Sequence, residues 1–294
     1  LILGLTMTFS TEFFFRFFGS YMPRGAIAAL NYGLRITFIL VGLFGQAIGT
    51  ASYPFMSRLA TEGRMLEMNR LLNRTVSALS IVIPFSVFLM VIRHEAVFIL
   101  FQRGRFDAAA TALTAHLLPF LLLGAFAFSA QTIVVRGYYA LQNTLFPALV
   151  GTAAVLLCIP VFLLGMQQLG ASGVALGVSI SAFMQVALLY VCWNRRTQNR
   201  ESRRVYGTVF KMALLSIFLG SALEAIRQNI FSNLGADTLS SALLTCFGMG
   251  VLFLSLLYVA CRIMKMSDIL EIIEKPLQKI KTHFHMKRSK TDER

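Results

Sequence analysis

Eight apolar runs divide this chain, each close to or above the roughly 20 residues that a helix needs to cross a hydrocarbon core of about 30 Å. They read as 1 to 19, 25 to 50, 73 to 92, 110 to 135, 145 to 166, 171 to 193, 209 to 227 and 239 to 261. Inside lipid there is no water to satisfy backbone N–H and C=O groups, so segments of this kind close their hydrogen bonds within themselves, as helices. The fold class that follows is all-α, a polytopic membrane helix bundle of about eight transmembrane helices. The seventh run carries the weakest signal, with Lys211 and Glu224 near its ends.

The gaps between the runs differ in charge. Of the 27 Lys and Arg residues, Arg24, Arg93, Arg103, Arg105 and Arg227 fall in one set of alternating gaps, and Arg16 and Arg35 lie inside apolar runs. The remaining 20 occupy the other gaps and the tail, around Arg58 to Arg74, Arg136, Arg195 to Lys211 and from Arg262 onward. Lys and Arg accumulate in short cytoplasmic loops, so the first run is expected to travel outward and the C-terminus to end in the cytoplasm. A net charge of +14 would suggest nucleic acid in a soluble protein, but 56% of the residues are hydrophobic and the mean hydropathy is +0.69. Orientation and contact with anionic membrane lipids explain the charge instead, and no nucleic-acid partner is expected.

Cys158, Cys192, Cys246 and Cys261 are far apart and form no C-x-x-C pair, which signals neither a disulfide framework nor a zinc site. No metal site or cofactor is expected; His283 and His285 in the tail read as solvated, and His116, alone in an apolar run, as hydrogen-bonded to a neighbouring helix. Leu1 already lies within an apolar run with no basic segment before it, which reads as the back part of a longer membrane protein rather than as a signal peptide.

Arg35 is the most informative position. It sits about ten residues into the second run, where a charge costs about 2.5 to 3.5 kcal/mol on insertion scales and usually faces a bundle interior or an aqueous cavity. One reading makes it a cationic fork for an anionic group, since a guanidinium matches phosphate bidentately. The other makes it an interhelical ion pair with Glu12, the one acid deep in an apolar run. Arg16 follows Glu12 by four residues, so these two can also pair along one helix. Asn31 shares the face of Arg35, Tyr32, Thr37 and Gln46 lie on the same helix, and Tyr32 reads equally well as packing.

Gly45-x-x-x-Gly49 and Gly173-x-x-x-Gly177 fit close helix packing, and Pro84, Pro119, Pro147 and Pro160 sit where they can bend spans. The segment from Glu95 to Asp107 is too short to span and suits a short helix at the outer interface, ending at Gly104. After the last span, Ile269, Ile273, Leu277 and Ile280 recur at helical spacing, which predicts an amphipathic helix on the cytoplasmic surface, followed by a basic tail.

Several stretches together resemble one family. Gly25 to Arg35 (Gly-Ala-Ile-Ala-Ala-Leu-Asn-Tyr-Gly-Leu-Arg), Gly45 to Thr50 leading into Tyr53 to Ala60, Phe101-Gln-Arg-Gly-Arg-Phe-Asp107, and Gly137-Tyr-Tyr-Ala-Leu-Gln-Asn-Thr with Pro147 look like the MurJ (MviN) family of lipid II flippases, in the multidrug/oligosaccharidyl-lipid/polysaccharide exporter superfamily. The resemblance runs in order through roughly the first 200 residues. It implies a bacterial inner-membrane, multi-pass transporter of two six-helix lobes plus two extra C-terminal helices around a cationic cavity with alternating access. On that pattern residues 1–195 are the second six-helix lobe, 196–262 the two additional helices with a preceding basic loop, and 263–294 the surface helix and tail.

The cargo so implied is a polyprenyl-pyrophosphate lipid, the undecaprenyl-linked peptidoglycan precursor. Arg35 stands where the family places a cavity arginine, with Asn31 and Tyr32 beside it as substrate-binding candidates. Family members often have Asp before that arginine, and here the residue is Leu34. The last two spans would form a groove for the lipid tail, and the first lobe, with its further arginines, would lie upstream. No bond is made or broken in such a role, so no enzyme activity is expected, and the energy source, a coupling ion or the membrane potential, stays open. Two other readings remain beside it: a related exporter of polysaccharide lipids or drugs, and an intramembrane polyprenyl-lipid transferase, which would need converging carboxylates or His that the chain does not display.

Overall fold

The structure is a computed structural model that describes residues 17–230 and 238–263. The first run up to residue 16, with Glu12 and Arg16, and the expected surface helix and tail beyond 263 lie outside the described residues. Among the described residues the chain is helical, with no strand. Among the described residues six helices are long and apolar enough to cross a membrane, or seven where one bent pair is counted as a single span.

The first long span is Ala26–Thr61, made of α1 (Ala26–Leu40), a π-helical turn (Val41–Gln46) and α2 (Ala47–Thr61). It runs eleven residues past the apolar stretch read from sequence, carrying Pro54 inside it. The second span, Met65–Val91, joins α3 (Met65–Ala78) to α4 (Val82–Val91) through a 3-10 turn and begins eight residues earlier than its apolar run, because Met65 to Arg74 is amphipathic. Then come α5 (Arg93–Phe101), the bent span α6 (Ala108–Leu122) and α7 (Ala125–Ala140), the span α8 (Leu145–Leu157) with α9 (Ile159–Leu169), and α10 (Ala171–Thr197). Two further spans, α11 (Ser202–Ile230) and α12 (Leu239–Ile263), complete the described chain.

The start and the bend of the α6–α7 span have local causes. Asp107 caps α6, its carboxylate accepting the Ala110 N–H at 2.8 Å, so the helix starts with one orphan donor satisfied. Four residues past Pro119, which lacks an N–H, the span bends by 48° between α6 and α7. Ser179 of α10 repairs the opening: its hydroxyl donates to the Phe120 carbonyl at 2.6 Å and accepts the Gly124 N–H at 3.0 Å. Gly124 is needed there, since a Cβ would stand 3.0 Å from the Ser179 Cα. The four glycines of the two packing motifs all lie at close approaches. A Cβ on Gly45 would meet the Ser129 Cα at 2.9 Å, one on Gly49 the Arg136 guanidinium, one on Gly173 the Gly165 backbone, and one on Gly177 the Phe162 ring at 2.7 Å.

α10 is central. Its apolar faces pack against α6, α7, α8 and α9, and Trp193, Tyr138 and Leu72 close the core between α3, α7 and α10. α11 lies on α3 and α4, and α12 on α5 and α11, with Phe88 and Phe253 stacked at 4.6 Å between centroids. The outward sides of α11 and α12, with Phe210, Ile217, Phe218 and Phe247 each at least 65% exposed, are apolar as a lipid-facing surface requires.

Two polar assemblies tie the bundle at opposite ends. At the basic end Asn69 accepts the Trp193 indole N–H at 2.9 Å, Asn73 accepts the Tyr190 hydroxyl at 2.8 Å, and Asn73 and Asn199 exchange amide hydrogen bonds at 2.9 Å. Arg70 bonds Glu201 at 3.1 Å on the surface beside them. In the α2–α3 turn, Arg58 and Arg64 hold the Glu62 carboxyl below its ordinary range. At the other end Glu95 of α5, buried, accepts from Arg227 of α11 at 2.9 Å. The loops that alternate along the sequence therefore gather at two ends, as spans crossing in turn require.

Candidate functional site

The α1–π–α2 span leaves one side largely open, touched by α7 at Phe38 and Gln46. Arg35, Phe38, Ile39, Leu43, Gln46, Thr50 and Tyr53 are exposed along it, whereas Leu30, Gly33, Ile36, Thr37, Leu40 and Gly45 are buried against the bundle. The recurrence of buried positions every three to four residues aims one stripe at α6 and leaves the other open.

Arg35 lies on the open stripe. Its guanidinium carbon stands 5.4 Å from the Tyr32 ring centroid, and among the described residues no carboxylate pairs with it. A cation over an aromatic face gains about 0.5 to 1 kcal/mol when exposed and more when desolvated, and that contact leaves the N–H fork free to meet an acceptor. Tyr32 is itself clamped between rings of the next elements, 4.7 Å from Phe101 and 4.8 Å from Phe106. Tyr32 therefore packs, and it also stands beside the Arg35 cation. Asn31, half-buried one turn before Arg35, turns its side-chain amide back to the Ile27 carbonyl at 2.9 Å. Thr37, on the same helix, is buried and bonded to the Gly33 carbonyl at 3.1 Å. Glu12 and Arg16 lie outside the described residues.

Sequence reasoning missed a second cation on this surface. Arg136 of α7 reaches across to the π turn and donates to the Gln46 side-chain oxygen at 2.9 Å and, at 3.4 Å, to the Gln46 carbonyl. Beside it Thr132 donates to the Gly45 carbonyl at 3.3 Å. A π turn widens the backbone and frees carbonyls from their usual partners, and these two side chains take them up. The available signal was Gln46 next to the Gly45-x-x-x-Gly49 pair in an otherwise apolar run; Arg136 itself was counted only as a loop charge.

Among the described residues no group of three or more His, Cys, Asp or Glu could hold a metal. His116 does not reach a neighbouring helix as expected: it is exposed and touches Phe120 on its own helix, with ring centroids 6.2 Å apart. The four cysteines are free. What the site offers is hydrogen-bond donors and positive charge on an open apolar stripe, an arrangement that suits an anion carried by a lipid rather than acid–base chemistry.

The chain is 30% identical over 174 residues to a probable lipid II flippase MurJ of Rhizobium tropici, covering 59% of this chain and 33% of that protein. It is 26% identical over 223 residues to a probable lipid II flippase MurJ of Vibrio cholerae, covering 76% of this chain and 42% of that one. A solved lipid II flippase MurJ in an inward closed conformation superposes with a TM-score of 0.65 at 20% identity, over 87% of this chain and 51% of that structure, and shares the fold. The chain thus spans less than half the length of these curated relatives. The family described as lipid II flippase MurJ matches residues 1–237, and with the helical bundle observed here this chain belongs to the MurJ family of multi-pass inner-membrane proteins.

Proposed function

We propose that this chain is the second half of a lipid II flippase. On this reading residues 1–195 form the second six-helix lobe, 196–262 the additional helix pair and 263–294 the cytoplasmic surface helix and tail, with an upstream lobe facing the open stripe of α1. The basic end is cytoplasmic, in keeping with the bias of Lys and Arg to that side. The cargo is a polyprenyl-pyrophosphate lipid whose head passes through a cavity between the lobes while its tail stays in the membrane, along the apolar surface of α11 and α12. No covalent step is involved, because moving a charged head across hydrocarbon needs only a polar path and differential binding in two states.

The observation that carries this reading is Arg35, a cation in mid-span, exposed and without a carboxylate partner among the described residues. A charge so placed is costly unless it meets an anion. In the complete transporter, Arg35→Ala should abolish growth support while membrane insertion stays normal. Normal growth of that variant refutes the role.

A further inference from the structure

We infer a second site for a lipid-borne phosphate, at Arg136 against the π turn; it rests on the transport reading above only in naming the cargo as one source of that phosphate. The guanidinium has five N–H donors, of which two are used, both on Gln46. No carboxylate pairs with Arg136 among the described residues. Gly49 leaves the room: any Cβ there would occupy the place of the guanidinium. The side chain is thus seated by the protein and still rich in unused donors, as a phosphate oxygen requires.

Its position gives it a distinct place from Arg35. From Arg35 to Gly49 is fourteen residues of helix, roughly 20 Å at about 1.5 Å per residue. Arg136 therefore stands toward the basic end of the same open surface, about one turn before α7 ends at Ala140 and gives way to the α7–α8 loop. Tyr53, 37% exposed, continues that surface one turn farther on. A phosphate head arriving from the leaflet at the basic end meets Arg136 before Arg35, and the two cations become successive stations on one path.

Two sources share this chemistry, the pyrophosphate of a polyprenyl lipid and the phosphate of a bulk anionic phospholipid, and binding separates them. Purified complete transporter and its Arg136→Gln, Arg136→Lys and Arg35→Gln variants are titrated with a fluorescent polyprenyl pyrophosphate in detergent and, separately, with phosphatidylglycerol in nanodiscs, with thermal midpoints recorded to confirm folding. Arg136→Gln should weaken one of the two by about tenfold, the loss of one charge-assisted contact, and Arg136→Lys should recover part of it. Loss confined to the pyrophosphate lipid assigns the site to cargo, and loss confined to phosphatidylglycerol assigns it to bulk lipid. Unchanged binding of both in a folded Arg136→Gln protein overturns the site. If Arg35→Gln weakens the pyrophosphate lipid in that same experiment, the transport reading survives that failure; if neither arginine matters to it, the cargo reading fails too.

Discussion

The Glu95–Arg227 pair offers a quantitative test of how the terminal helices are held. The Glu95 side chain is only 6% exposed and that of Arg227 25%, at 2.9 Å, with Glu224 a more distant 3.9 Å from Arg227. The second Glu95 carboxylate oxygen is buried without a hydrogen bond. Removing one partner of a buried pair leaves an uncompensated charge, which costs about 3 to 5 kcal/mol, and the partial exposure of Arg227 places Arg227→Met near the lower figure. Replacing both, Glu95→Gln with Arg227→Met, removes the buried charge and should cost about 1 kcal/mol, the order of a lost neutral hydrogen bond. The double variant should then be about 2 kcal/mol more stable than Arg227→Met alone, and adding the Glu95→Gln single completes a double-mutant cycle, read by unfolding in mixed micelles. Cys246 of α12 lies within electrostatic range of both residues, so its reaction with a maleimide gives a local readout, faster in the single variant and restored in the double. A single variant costing under about 1 kcal/mol, with Cys246 as protected as before, means that apolar packing alone seats α11 and α12 and that the burial argument is wrong.

At the basic end, Asn73→Ala strips partners from the Tyr190 hydroxyl and the Asn199 amide together and should cost about 3 kcal/mol, against about 1 for Tyr190→Phe; equal losses by thermal unfolding would dissolve the idea of a shared network. Gly173→Ala drives a methyl into the Gly165 backbone and should cost about 1 to 3 kcal/mol, whereas Gly207→Ala, which meets nothing within 4 Å, should be neutral or gain up to about 1 kcal/mol. For orientation, Gln198→Cys, exposed in the turn after α10, should react with a membrane-impermeant thiol reagent only in inverted vesicles; labelling in intact cells reverses the assignment of sides.

Seven of the eight spans read from the sequence have counterparts here, because twenty apolar residues in lipid leave the backbone one solution. Their ends were less legible: Met65 to Arg74 is too polar to register as a span, and Tyr53 to Thr61 continues a helix beyond the hydrocarbon. The short helix after the third run was legible as well, although it ends at Phe101 and not at Gly104, whose positive φ of 61° belongs to the following turn. Arg35 could be singled out because a lone charge amid apolar residues stands out in one dimension. Arg136 with Gln46, Glu95 with Arg227 and Asn73 with Asn199 could not, since each joins residues 90 or more apart in sequence. The π turn at Val41–Gln46 has no compositional mark at all.

The Ser179 hydroxyl bears on how the bend between α6 and α7 can move. Flexing the α6–α7 elbow would pull Phe120 and Gly124 away from a group that belongs to α10, at the cost of both hydrogen bonds to the Ser179 hydroxyl. The crease is therefore braced rather than articulated, and on the reading proposed above the helices on its two sides would move as one unit.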